Sequence, residues 1–118
     1  MNRYELLERR AQEFARGVIG LTKRARPSLA ANEIIRQLVR AAGSVGANYI
    51  EANEGVSRKD FLLHVRISRK EAKEARYWLG LFDIEQTAIG ERDRLLDEAT
   101  QLLKIFTAII KKSEDAVR

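Results

Sequence analysis

Apolar residues recur along this chain in alternating steps of three and four positions, in four separate stretches. That spacing places them on one side of an α-helix, because about 3.6 residues complete a helical turn. The first two stripes comprise Tyr4, Leu7, Ala11, Phe14, Val18 and Leu21, then Ile35, Leu38, Ala42, Val45, Tyr49 and Ala52. The other two comprise Phe61, Val65, Ser68, Ala72, Ala75, Leu79 and Phe82, then Leu95, Ala99, Leu102, Phe106 and Ile109. They predict helices over about residues 2–25, 30–54, 58–84 and 91–115.

The residues between the stripes predict where the helices begin and end. Pro27 ends the first helix, because proline lacks the backbone donor that a continuing helix needs. Gly55 suits a left-handed cap after the second helix, and Ser57 with Asp60 resembles a capping box before the third. Gly90 separates the third helix from the fourth. Such short connections favour antiparallel neighbours, so we expect one all-α domain over residues 1–118, an antiparallel up-down-up-down four-helix bundle.

The third helix carries a second stripe beside its core stripe, formed by Ile67, Glu71, Glu74, Trp78 and Leu81. A small bundle buries one stripe per helix, and a second one leaves an exposed apolar patch unless another chain covers it. We therefore expect Ile67, Trp78 and Leu81 to lie at an interface between subunits of a homo-oligomer. The alternative is a broad core stripe with Trp78 at its edge.

A line of polar residues runs beside the core stripe of the second helix, and we call Ser44, Asn48 and Glu51 the polar seam. Polar groups that are buried need hydrogen-bond partners. We expect Asn48 and Glu51 to find partners on another helix, on a neighbouring subunit or in water. Such a seam can fix the register and the number of subunits, as isolated polar core residues do in coiled coils. The alternative is an ordinary solvated helix end.

The positive charge of the chain is unevenly distributed. The formal net charge is +5, and residues 1–26 and 57–82 each hold seven basic and three acidic side chains. Lysines and arginines on outward helix faces are typical of proteins that bind a phosphate backbone. The alternative is a solvated surface whose charges pair along one helix, as Glu5 and Arg9 could do. The predicted nucleic-acid-binding residues are Arg9, Arg16, Lys23, Arg66, Arg69, Lys70, Lys73 and Arg76.

Catalytic and metal-binding patterns are missing from the sequence. There is no cysteine, which excludes thiol chemistry and is typical of a reducing cytoplasm. A di-iron bundle needs Glu-x-x-His motifs, whereas Phe61 stands three residues before the only histidine, His64. No phosphate-binding loop or nucleophile triad is present. The sequence therefore predicts no enzyme, no metal and no cofactor. No apolar run reaches the roughly 20 residues of a membrane span, and we expect a cytoplasmic protein with no membrane partner.

One segment resembles a known family. Arg40 to Phe82, RAAGSVGANYIEANEGVSRKDFLLHVRISRKEAKEARYWLGLF, is similar to the signature of the small bacterial four-helix-bundle proteins encoded in 23S rRNA intervening sequences. The matching positions are Ser44, Asn48, Glu51, Ser57, Asp60, Phe61 and Glu74. The resemblance implies a ring-like homo-oligomer, a pentamer. A relative in this group, the accessory protein of diversity-generating retroelements, works with a reverse transcriptase and nucleic acid, so the resemblance implies partners of these kinds.

Two functional hypotheses follow from the charge and from the resemblance. The first is a nonenzymatic oligomeric module that binds the RNA or DNA backbone through basic faces of the first and third helices, or serves as an accessory protein. The alternative is a protein-interaction scaffold whose basic face binds an acidic protein.

Overall fold

A computed structural model describes residues 1–116, and their regular elements are helices. Side-chain oxygens begin three of them: Asn2 accepts from the backbone N–H of Glu5, Ser28 from that of Ala31, and Ser57 from that of Asp60. These caps satisfy N–H groups that lack a partner within the helix. The α-helices are α1 (Arg3–Thr22), α2 (Leu29–Asn53), α3 (Arg58–Leu81) and α4 (Ile89–Ala116), with a 3-10 helix (Gln86–Ala88) before α4.

The helices run alternately up and down, and side-chain contacts between them establish the direction. Between α2 and α3, Arg40 pairs with Glu74 and Asn48 with His64, so the two helices are antiparallel. The same reasoning applies to α3 and α4, where Arg76 contacts Thr100 and Arg66 contacts Glu114. The α1–α4 and α1–α2 pairs complete a square, in which α1 and α3 occupy opposite corners.

One stripe from each helix forms the core. Phe14, Leu38, Leu79 and Phe106 are buried at its centre. Most residues of the predicted stripes are buried in this core. Leu7, Ile35, Phe61 and Ile109 are half-buried against it, and the clearest exception lies at the end of the bundle where α1 begins. Tyr4 is 54% exposed there, because it lies in the first turn of α1. On α4, Ile110 is buried and Ile109 only half-buried.

Two helices end earlier than the periodicity predicts. The chain leaves α1 at Thr22, before Pro27, and leaves α3 at Leu81 rather than at residue 84. Both ends are set by pairing of the segments that follow: the N–H of Arg26 donates to the carbonyl of Asp83 (3.2 Å), and the N–H of Glu85 donates to the carbonyl of Arg24 (3.0 Å). These bonds hold the two loops together at one end of the bundle.

The prediction of a left-handed cap at Gly55 is wrong, since no glycine within residues 1–116 has a positive φ. The helix ends instead on Glu54, whose N–H bonds to carbonyls of the last turn. A side-chain carbon at position 55 would lie 3.1 Å from the carbonyl oxygen of Ala52 and 3.2 Å from Cβ of Asp60. Glycine is therefore used here for close packing between α2 and α3.

Candidate functional site

The predicted cations of α3 divide between two directions. Arg66 and Arg76 reach towards α4, where Arg66 donates to the Glu114 carboxylate (2.7 Å) and Arg76 donates to the Thr100 hydroxyl (3.3 Å). Arg69 is half-buried, and Lys70 and Lys73 are exposed. The third helix therefore presents its positive charge along its outward side and along its boundary with α4.

Most of these cations keep their charge uncompensated. Of the eight predicted nucleic-acid-binding residues, only Arg66 forms an ion pair within residues 1–116. Other arginines are paired, such as Arg10 with Glu98 (2.7 Å) and Arg24 with Glu85 (2.8 Å). The hypothesis that the predicted cations merely pair along their own helices is therefore not what the structure shows.

Two lysines of α4 extend this surface and were missed by sequence reasoning. Residues 100, 104, 107, 111 and 114 follow steps of four and three, so they share one side of α4. Thr100 and Glu114 at the two ends of this line contact α3, which places Lys104 and Lys111 between them. Both lysines are exposed. We define the α3–α4 basic surface as Arg69, Lys70, Lys73, Arg76, Lys104 and Lys111.

The cations predicted on α1 form a separate surface. Arg9, Arg16 and Lys23 are exposed, and we call them the α1 basic surface. Because α1 and α3 occupy opposite corners of the bundle, the structure does not bring the two predicted basic faces together within one chain.

The residues of the predicted subunit interface are only partly exposed in a single chain. Trp78 is half-buried against the core, and its indole N–H donates to Glu74 (3.3 Å). Ile67 is also half-buried. Leu81 is 50% exposed, and Leu63 and Tyr77 on the same side of the helix are 52% and 61% exposed. We call Leu63, Lys70, Tyr77 and Leu81 the outer face of α3.

Asn48 of the polar seam has a hydrogen-bond partner on α3. Asn48 is half-buried, and its amide nitrogen donates to the hydroxyl and the carbonyl of Ser44 (both 2.9 Å). Its amide oxygen lies 3.3 Å from Nδ1 of His64. Glu51, by contrast, is exposed. A second polar bond was not anticipated: buried Ser68 donates its hydroxyl hydrogen to the carbonyl of Val45 (2.9 Å).

The titration shifts in the molecule have local causes. The pKa of Arg10 is raised, chiefly by its hydrogen bond to Glu98, and the pKa of Glu91 is lowered, chiefly by its hydrogen bond to Arg94. Within residues 1–116, no group of three or more histidine, aspartate or glutamate side chains converges on a point where a metal ion could bind. No helix in the described part of the chain is long and apolar enough to cross a membrane.

Comparisons with known proteins agree with this architecture. The family model for the 23S rRNA-intervening sequence protein matches residues 7–108. A crystal structure of a protein of unknown function from the S23 ribosomal protein family of Bacteroides thetaiotaomicron VPI-5482 superposes with a TM-score of 0.74 at 28% identity. The match covers 93% of this chain and 99% of that one. Comparison with curated proteins finds no match. Because the family model spans most of its length, this chain belongs to the 23S rRNA-intervening sequence protein family.

Proposed function

We propose that this protein is a nonenzymatic, oligomeric nucleic-acid-binding or accessory module that contacts the RNA or DNA backbone. The observation that carries the proposal is the α3–α4 basic surface, whose six cations form no ion pair within residues 1–116. Lysines and arginines that neutralise phosphates release the counterions condensed on a nucleic acid, and this release favours binding. Cations that are not already paired with carboxylates are free to do so.

The shape of this surface favours an elongated ligand over a single phosphate group. Lys104 and Lys111 are seven residues apart along α4, a distance of about 10 Å at ~1.5 Å per residue. Lysine and arginine contacts to phosphates position a nucleic acid without reading its bases. The proposed binding is therefore tolerant of sequence, and the family description supports RNA as the first ligand to test.

Assembly into a homo-oligomer would strengthen weak contacts. One chain presents its α1 and α3–α4 basic surfaces on different sides, so one nucleic acid contacts only part of its charge. A ring repeats each surface, and linked weak sites bind with avidity. The pentamer and the reverse-transcriptase partner that the resemblance implies belong to this proposal.

The test is a fluorescence-anisotropy titration at several salt concentrations, with single-stranded, duplex and structured RNA and DNA. Lys70 and Lys73 are reversed together to glutamate. If both contact phosphates of duplex DNA, the slope of log K against log salt should fall by about two, since each contact contributes roughly 0.9. The matched control reverses Arg3 and Lys112, two exposed cations outside both basic surfaces that form no ion pair within residues 1–116, so the net charge changes equally.

Two results would contradict the proposal: no binding at low salt, or equal weakening by both double variants. Either would favour the alternative, a scaffold for an acidic protein. One observation supports that alternative, because Lys70 lies between exposed Leu63 and Tyr77 on the outer face of α3. Aromatic side chains such as Tyr77 are enriched at protein interfaces.

A further inference from the structure

A groove of about 740 Å³ opens at the end of the bundle where α1 begins and α4 ends. All four helices contribute to it, with Tyr49 from α2 and Phe61 from the first turn of α3. Its volume lies within the roughly 300–1,000 Å³ of small-molecule sites. The apolar and aromatic lining is formed by Tyr4, Leu6, Leu7, Tyr49, Phe61, Ile105, Ile109 and Ala116.

Among residues 1–116, the charged side chains that line the groove are all cations: Arg3, Arg10, Arg58 and Lys112. Glu98 already neutralises Arg10 through two hydrogen bonds of 2.7 and 2.8 Å. Arg3, Arg58 and Lys112 form no ion pair within residues 1–116. Three positive charges outside any ion pair thus line an apolar groove to which residues 1–116 contribute no carboxylate.

Tyr49, the contribution of α2 to the groove, is a buried and neutral residue. Tyr49 is 2% exposed, and its ring packs against that of Phe106 with centroids 5.7 Å apart. Burial raises the pKa of the Tyr49 phenol, and a tyrosine phenol is already neutral at physiological pH without such a shift. A ligand tail at this end of the groove would therefore contact packed side chains and no negative charge of Tyr49.

We propose that this groove binds a small amphipathic anion, a carboxylate with a hydrocarbon tail. The carboxylate lies among Arg3, Arg58 and Lys112, and the tail lies against Leu7, Ile105 and Ile109. Charge complementarity selects the head group. The largely aliphatic lining selects a hydrocarbon tail.

A nucleobase fits this groove less well than a hydrocarbon. Besides the cations, the polar side chains that residues 1–116 contribute to the lining are the hydroxyls of Tyr4, Tyr49 and Ser113. The polar edges of a base would lose hydrogen bonds to water and regain few, which is unfavourable. The proposal is thus independent of nucleic-acid binding, since none of the four groove cations belongs to the two basic surfaces.

Isothermal titration calorimetry with decanoate, octanoate and decanol tests the proposal. Each buried CH₂ should tighten binding by up to about fourfold, so decanoate should bind up to roughly 15-fold more tightly than octanoate. Decanol has a similar tail and no charge, and it should bind at least tenfold more weakly than decanoate. Arg58→Glu should abolish decanoate binding, because it places a negative charge at the groove. Arg58 is exposed on the first turn of α3, and circular dichroism should show an unchanged fold.

Lys70→Glu is the matched control, since it reverses a cation on α3 far from the groove. It should leave decanoate binding unchanged, whatever it does to nucleic-acid binding. Any of four results would overturn the proposal. These are no measurable heat, equal binding of decanol, an equal effect of Arg58→Glu and Lys70→Glu, and displacement of decanoate by short RNA. A further contrary result would come from light scattering. If decanoate dissociates an oligomer, the groove is an interface between copies of this chain and not a ligand site.

Discussion

At the scale of single residues, the polar seam shows what a side chain's type and position can predict. Ser44 and Asn48 stand beside the core stripe, so a need for hydrogen bonds follows from the sequence. The partner does not, because His64 lies sixteen residues away on another helix and meets Asn48 only when α2 and α3 pack. Glu51 belongs to the same line, yet it lies on the side of α2 that water reaches.

Asn48→Ala should reduce the free energy of unfolding by about 1 kcal/mol, the usual net value of a hydrogen bond that water partly replaces. The substitution removes the bonds to Ser44 and leaves His64 without its amide acceptor. Urea denaturation followed by circular dichroism measures the change. Glu51→Ala is the control and should stay within about 0.5 kcal/mol of the parent, as exposed positions do. An Asn48→Ala variant that also stays within about 0.5 kcal/mol of the parent would show that the hydrogen bonds of Asn48 contribute little to stability.

At the scale of the helices, periodicity predicts which face is buried better than it predicts where a helix ends. The predicted stripe of α3 continues past the observed end of the helix, because Phe82 is buried although α3 ends at Leu81. The ends depend on hydrogen bonds between two loops that are distant in sequence. Helical spacing also cannot show which glycines allow close packing. Gly43 and Gly46 both lie within α2, but only Gly46 lies in close contact with α1.

Gly43→Ala should raise the free energy of unfolding by about 0.5–1 kcal/mol, because alanine favours the helix and its Cβ would meet no atom within 4 Å. Gly46→Ala should not give this gain. Its Cβ would lie 3.3 Å from Cβ of Ala11, so α1 would have to move away. Thermal or urea unfolding of both variants measures the difference. A gain in stability from Gly46→Ala as large as that from Gly43→Ala would contradict a tight α1–α2 contact.

At the scale of the whole molecule, short connections were enough to predict a bundle, whereas its surfaces were not predictable in full. Residues 83–118 hold more acidic than basic groups, which hides the contribution of Lys104 and Lys111 to a positive surface. Only the packing of α4 against α3 sets those lysines beside Lys73. The amphipathic groove could likewise not be predicted from the sequence, because its lining residues come from all four helices.

The packing of the bundle decides which residues can test assembly without disturbing the protomer. Trp78 packs partly against its own core, so removing it would disturb the protomer and any interface together. Leu63 and Leu81 on the outer face of α3 are half exposed in one chain and offer a cleaner test. If this face contacts another subunit, Lys70 is covered with it, and the other five cations of the α3–α4 basic surface are those left for nucleic acid. Replacing both leucines with lysine would then place charges in the contact without unpacking the protomer core.

Multi-angle light scattering at micromolar concentration should therefore show an oligomer for the parent and a smaller species for the Leu63→Lys, Leu81→Lys variant. The free energy of unfolding of the protomer should change by only about 0.5 kcal/mol per substitution, as is usual at exposed positions. Val56→Lys is the control, because Val56 is 94% exposed between α2 and α3 and lies outside the proposed interface. A parent protein that is a stable monomer would refute assembly. Dissociation by Val56→Lys to the same extent would place the contact elsewhere than on the outer face of α3.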